Sequence, residues 1–507
     1  MYDYHRSSTS SMRILVISLL VVVLLSLLLI RLDDGRGGAP GDALVVYCAA
    51  GLRLPVAEAA ARFEKELGIP VRLEHGSSGE LEGKILLEKE SGTNRSDIYI
   101  PADQSFVERA TAKGLLRESI PLARFHLVLA VKKGNPSGIE GIDDLLDGSA
   151  RYLLCDEKAG AGKRTQQALE GDGTWARLMA GAKAVKPRVT EVASDVAISS
   201  AVDCAIVWMT TAQQFGLDTV EIPQLTAAGS TIIAAVTDHC RRPTEALRLA
   251  RYLSAPERGQ PIFANHGFQP VDGDHWQERP RLTFFSGGVN REAVEETIDL
   301  FSAREGCEIK TLFAGCGALV QTIEAGQNPD AFLTCDVSYM EKVAGLFGEA
   351  SDVSSTDMLI LVSSENRRNI ANFEDLARTD VTLAIADPEK TALGDLTRRL
   401  FVEAGVWDVV GPRVLTAPSA HELFLMMAAG EQKLDAVVVY RANCNNIGDH
   451  LAMIPIAHPS ALAFQNIAIG NSSKHPNLTR RLIDALLSKE SQERFAARGF
   501  AWRARQE

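Results

Sequence analysis

LVVYCAAGLRLPVAEAAARFEKELGIPVRLEHGSSGEL, residues Leu44–Leu81, and LTFFSGGVNREAVEETIDLFSAREGCEIKTLFAGCGAL, residues Leu282–Leu319, are one unit written twice. Each opens on an apolar run and turns at small residues. Each then follows apolar spacing near 3.6 and ends at a second short run before a glycine-framed corner. Gly79 aligns with Gly317, 238 positions on. DIYIPADQSFV (Asp97–Val107) aligns with DAFLTCDVSYM (Asp330–Met340), 233 positions on. CAIVW ending at Trp208 aligns with AVVVY ending at Tyr440, and ANHGF (264–268) with AARGF (496–500), both at 232. A near-constant offset of this length denotes duplicated domains, not a solenoid.

Within each copy short apolar runs alternate with amphipathic stretches. LVVYC, VRLEH, DIYIP, FHLVLAV, RYLLC, DCAIVW and STIIAAV read as strands; Leu54–Leu67, Thr244–Leu253 and Pro256–Asn265 read as helices. The alternation predicts an α/β fold with largely parallel sheets. Each copy is large for one sheet, which predicts two lobes per copy and four in all. The expected domains are 43–272 and 282–507, joined by a polar linker at 273–281.

The chain has 507 residues, 46% hydrophobic and 23% charged, values that exclude whole-chain disorder, collagen and coiled coil. It carries 53 basic and 65 acidic residues, a net charge of −12. No basic stripe is present, so nucleic acid is not an expected partner. Any anionic ligand must be held by local dipoles against an acidic overall field. Eight scattered cysteines form no C-x-x-C pair and read as small buried hydrophobes.

Ile14–Ile30 is apolar apart from Ser18 and Ser26, and Arg13 and Arg31 flank it. It is long for a signal-peptide core and short for a membrane span. The first expectation is a short cytoplasmic segment (1–13), an uncleaved transmembrane signal anchor (14–30), and a flexible linker (31–42) leading to an outside body, with a cleaved signal as the second reading of the same run.

Gly76-Ser77-Ser78-Gly79 follows a strand and opens a helix. Free N–H groups and partial positive charge at a helix start suit an anion, and Ser77 and Ser78 add hydroxyls. An ordinary N-cap turn uses the same residues. Cys48-Ala49-Ala50-Gly51 is a second such corner. Lys158–Lys163 (KAGAGK) lacks the full phosphate-loop pattern, so Lys163 and Arg164 read as a solvated face. Trp208 and Tyr440 end strands where open α/β sheets bind ligands, though core packing would use them equally well. Asp103 and Asp336 read as helix N-caps. No G-x-S-x-G, H-x-x-x-H or H-E-x-x-H pattern supports a hydrolase or a metal-dependent enzyme.

Collected, YCAAG, GSSG, SDIYIPADQ, CDEKAGAG, AIVW and HGF resemble the molybdate-binding periplasmic receptors of ABC transporters. Both copies share the likeness, over Leu44 to about Phe500. The resemblance implies two tandem type II, two-lobed solute-binding domains after the N-terminal helix. It also implies a tetrahedral oxyanion such as molybdate or tungstate held between lobes by hydroxyls and main-chain N–H groups. No cofactor and no metal-cation ligands are implied. The implied partners are a small anionic solute, an ABC permease, and the bacterial inner membrane through a single pass, with the body in the periplasm. Carried over by position, the implied ligand-binding residues are Gly51, Ser78, Ala161, Val192 and Trp208 in the first copy, and the Gly76–Gly79 corner adds Ser77 as a candidate. In the second they are Val289, Cys316, Leu393, Ala420 and Tyr440. Gly51 and Trp208 stand where the family has a serine and a tyrosine; Cys316 stands in place of the second serine.

Overall fold

The computed structural model describes residues 43–429, 434–445 and 447–504. The expected anchor at 14–30 and the segments on either side of it, 1–13 and 31–42, lie outside the described residues. No helix among the described residues is long and apolar enough to cross a membrane.

The first half begins with β1 (Leu44–Ala49), α1 (Arg53–Leu67), β2 (Val71–Gly76), α2 (Ser78–Ser91), β3 (Ile98–Ile100) and α3 (Gln104–Ala112). All six β1 residues are buried, as a strand flanked on both sides requires. α1 buries Val56, Ala59, Ala60 and Phe63, one stripe of a 3.6-residue repeat. It stops where Gly68 turns left-handed at φ 69°, a conformation glycine takes without strain. β4 (Leu116–Phe125) then leads into β5 (Leu127–Val131), β6 (Tyr152–Cys155), α4 (Gly160–Leu169), β7 (Ala184–Lys186), α5 (Val189–Ile198), β8 (Cys204–Trp208) and β9 (Asp218–Val220). β10 (Ser230–Thr237), α6 (Pro243–Ser254) and α7 (Gly259–Asn265) close the half. Two sheets result, ordered β2-β1-β3-β10-β4 and β7-β6-β8-β5-β9.

The second half repeats this with β11 (Arg281–Gly287), α8 (Arg291–Glu305), β12 (Glu308–Ala314), α9 (Cys316–Glu324), β13 (Ala331–Leu333) and α10 (Val337–Lys342). After these come β14 (Ser351–Ser363), β15 (Leu383–Ala386), α11 (Ala392–Glu403), β16 (Leu415–Ala417), α12 (Ala420–Ala428) and β17 (Ala436–Tyr440). It ends with β18 (Leu451–Pro455), β19 (Leu462–Ile469), α13 (Pro476–Leu486), α14 (Lys489–Ala497) and β20 (Ala501–Trp502). The path β12-β11-β13-β19-β14 reproduces the first sheet. β16-β15-β17-β14, with β18 on β14, reproduces the second. Both sheet orders recur in the second half, there joined through the shared β14, and this is the duplication expressed in three dimensions.

The sheets are less parallel than the sequence suggests. β1 runs parallel to β2 and β3, but β10 is antiparallel to β3 and β4, and β5 to β8 and β9. A strand that crosses from one lobe to the other enters the second sheet against its direction, and local periodicity carries no record of this. α7 is also shorter than expected, starting at Gly259 and not Pro256.

The hinges differ. In the first half β4 and β5 are separate strands with His126 between them; in the second β14 is one strand serving both lobes. The boundary segment is docked. The Asp274 carboxylate accepts the N–H groups of Asn477 and Leu478 at 2.9 and 2.8 Å, and Trp276 packs edge-on against Tyr252. Nearby, Glu305 is buried between Arg251 (2.7 Å) and Arg481 (3.0 Å). Arg304 reaches Glu118 at 2.9 Å. These contacts fasten the first lobe of one half to the first lobe of the other.

Candidate functional site

The first half holds a cavity of about 1100 Å³ between its lobes, with Gly51, Asp103, Lys158, Lys163, Arg164 and Trp208 among its lining. Gly51 sits in a short turn between β1 and α1, where a Cβ would meet nothing within 4 Å. Trp208 ends β8 and packs on Phe125, ring centroids 4.4 Å apart.

The remaining expected residues are placed otherwise. Ser78 is buried, and its Oγ accepts the N–H of Ala102, a cavity-lining residue, at 3.0 Å. Accepting that bond leaves the hydroxyl proton to donate elsewhere. Ser77 is exposed and caps α2, its hydroxyl accepting from Glu80 N–H at 3.3 Å. Ala161 is buried beside the lining residue Gly160. Val192 is fully buried, and its N–H bonds the Arg188 carbonyl at 3.2 Å. The cavity instead meets the start of that helix, at Val189 and Thr190.

The expectation of a solvated face holds for Lys163, which is exposed, and is corrected for Arg164. α4 presents its first turns to the opposite lobe, and Arg164 bonds Asp103 across the cleft at 2.8 Å. Asp103 also caps α3 as expected, accepting from Ser105 N–H at 2.9 Å. Burial works against its ionisation, yet Ser105 and Arg164 hold the carboxyl below the usual range. Arg53, Lys158 and Lys163 line the cavity and make no ion pair among the described residues. Arg53, Arg109, Lys158, Lys163 and Arg164 against Asp103 and Glu108 leave the lining richer in cationic than anionic side chains.

The second half encloses about 570 Å³, and Val289, Leu393, Ala420 and Tyr440 all line it. Cys316 does not; it is fully buried. The Tyr440 hydroxyl is buried without a hydrogen-bond partner among the described residues, and burial pushes it well above its ordinary value. Here the lobes touch through main chain. Ala318 N–H donates to the Lys390 carbonyl at 3.3 Å, and the Tyr339 hydroxyl donates to the Thr391 carbonyl at 3.3 Å. A Cβ on Gly315 would lie 2.4 Å from the Lys390 oxygen; one on Gly317 would lie 2.5 Å from the Glu389 oxygen. The Lys390 carbonyl thus occupies the start of α9, where an anion would otherwise sit. Sequence inspection alone misses this closure, because glycine at 315 and 317 reads equally as an open corner.

The profile of a family described as bacterial extracellular solute-binding protein matches residues 44–269 and again 282–501. The molybdate-binding protein ModA of Escherichia coli (strain K12) is 22% identical over 178 residues, covering 33% of this chain and 68% of that protein. A putative binding protein of Haemophilus influenzae is 25% identical over 232 residues, 45% of this chain and 91% of that one. Among solved structures, the Azotobacter vinelandii periplasmic molybdate-binding protein is 16% identical over 44% of this chain and 100% of its own, with a TM-score of 0.38.

Proposed function

The chain belongs to the bacterial extracellular solute-binding protein family and carries a ModA-like unit twice, and from that premise we propose that its first half captures a tetrahedral oxyanion, molybdate or tungstate, for ABC-type uptake. The family is one of binding proteins rather than catalysts. The observation that carries the reading is the joint exposure of Gly51, Lys158 and Lys163 to one interlobe cavity whose wall is braced by Ser78. Main-chain N–H groups and hydroxyls select the shape of a fully deprotonated anion, and each such donor contributes about 1.5–3 kcal/mol. Unpaired cations add attraction at longer range. Lobe closure about the Phe125–Leu127 hinge would complete the enclosure.

Titration calorimetry of the body with molybdate, tungstate, sulfate and phosphate tests this. A saturable heat with molybdate or tungstate is expected; flat heats for all four would remove the oxyanion reading. A permease with its ATPase would be the partner. The proposed domain limits are 43–272 and 282–507, and the proposed anchor is 14–30, with the body outside the membrane. Retention of the full chain in carbonate-washed membranes, and its release on deletion of 1–42, is the expected result.

The main-chain contact at Lys390 supports a different role for the second half, as a closed structural unit. Under that reading its Tyr440→Phe variant leaves the oxyanion heats unchanged.

A further inference from the structure

Three positions change together between the halves. Ala49, Ser78 and Ala102 of the first stand where the second has Gly287, Cys316 and Cys335. The Ser78 Oγ accepts the Ala102 N–H at 3.0 Å, and in the same way the Cys316 sulfur accepts the Cys335 N–H at 3.0 Å. The second half then adds a second sulfur to this bond. Cys335 Sγ lies 2.8 Å from Cys316 Sγ, inside the roughly 3.5–4.0 Å that suits unbonded heavy atoms. Gly287 makes the room, since a Cβ there would fall 2.0 Å from Cys335 Sγ and 3.1 Å from Cys316 Sγ. The alanine of the first half could not stand at 287 beside this pair. Cys316 is fully buried, while Cys335 lines the second cavity.

We propose that Cys316 and Cys335 form an intramolecular disulfide in the exported chain. The inference rests on the extracytoplasmic placement of the body, the compartment in which disulfides persist. The oxidant is a small or protein disulfide, R–S–S–R. The Cys335 thiolate, reached through the cavity, attacks one of its sulfurs and releases one R–S⁻. The Cys316 thiolate then attacks the Cys335 sulfur of the mixed disulfide and releases the second. The two cysteine protons end on the two R–SH products, and the oxidant disulfide is reduced as the cysteine pair is oxidised. Burial raises the Cys316 thiol well above its ordinary value, so exchange is fastest while the chain is still folding. The bond ties the start of α9 to the segment leading into α10, doing covalently what the Ser78–Ala102 hydrogen bond does in the first half.

The test is mass spectrometry of the full chain exported to a bacterial periplasm, denatured in N-ethylmaleimide without reductant. Of eight cysteines, six take adducts, and a peptide map contains the Cys316–Cys335 cross-link. Cys316→Ser gives seven adducts and Cys240→Ser gives five. Eight adducts on the unreduced chain, or two protected thiols persisting in Cys316→Ser, would overturn the proposal. Oxyanion calorimetry reads the first cleft separately. Eight adducts with a molybdate heat would sink the disulfide alone; six adducts with flat heats would sink the oxyanion reading alone.

Discussion

The Arg164 guanidinium reaches across the first cleft to the Asp103 carboxylate, Nη2 to Oδ2 at 2.8 Å, and so joins the two lobes of the first half. Each partner is about three-quarters or more buried, which makes this pair less screened than an exposed one. Asp103→Asn and Arg164→Met are expected to open the first half. Small-angle scattering would register an increased radius of gyration in both variants; profiles identical to wild type would refute the latch.

The same pair has a pH signature. Asp103 is held below its ordinary value, so its contribution is complete above the ordinary carboxylate range near pH ~4 and is lost as pH falls through the lowered folded value. Scattering should therefore be constant from neutral pH down to about 5 and should expand only in stronger acid. Asp103→Asn should abolish that acid step.

Ser78→Ala leaves the cavity-lining Ala102 N–H without its acceptor and removes the hydroxyl that braces the wall of the cleft from behind. Stability should fall by about 0.5–1.5 kcal/mol, the net worth of a hydrogen bond at a partly buried donor. Oxyanion affinity should fall by about 10- to 100-fold, read by calorimetry. Ser77→Ala removes only an exposed cap and should cost about 0.5–2 kcal/mol of stability.

Glu305 lies buried between Arg251 and Arg481, and those residues come from both halves. Although burial resists its ionisation, the two guanidiniums hold its carboxyl below the usual range. Glu305→Ala strands two arginines and should cost about 3–5 kcal/mol. Scanning calorimetry should then resolve two transitions where the wild type shows the halves melting together. A single unshifted transition would contradict the coupling.

The hinges should exchange differently. His126 interrupts the crossing strand of the first half, whereas Met358 at the equivalent place is paired within β14. Amide hydrogen exchange should be faster at 125–127 than at 357–359. Equal protection would mean that the strand break has no dynamic consequence.

Much of this molecule was legible from pattern. The offset between Gly79 and Gly317 announced the duplication, apolar alternation marked most strands, and Asp103 and Asp336 were readable as caps because capping is a local interaction. Residues whose role depends on the opposite lobe were not readable. Arg164 looks solvated until the lobes dock.

What the sequence by itself determined is therefore the repeated α/β unit, its strand order of residues, and the chemistry present at each corner, because periodicity and capping act within a few residues of chain. Only the tertiary structure decided which corners meet: a cleft bridged by Arg164 and Asp103 in the first half, and in the second a corner filled by the Lys390 carbonyl beside two adjoining sulfurs. Those outcomes depend on contacts between residues 19 to 72 positions apart, set by tertiary packing that no local pattern encodes.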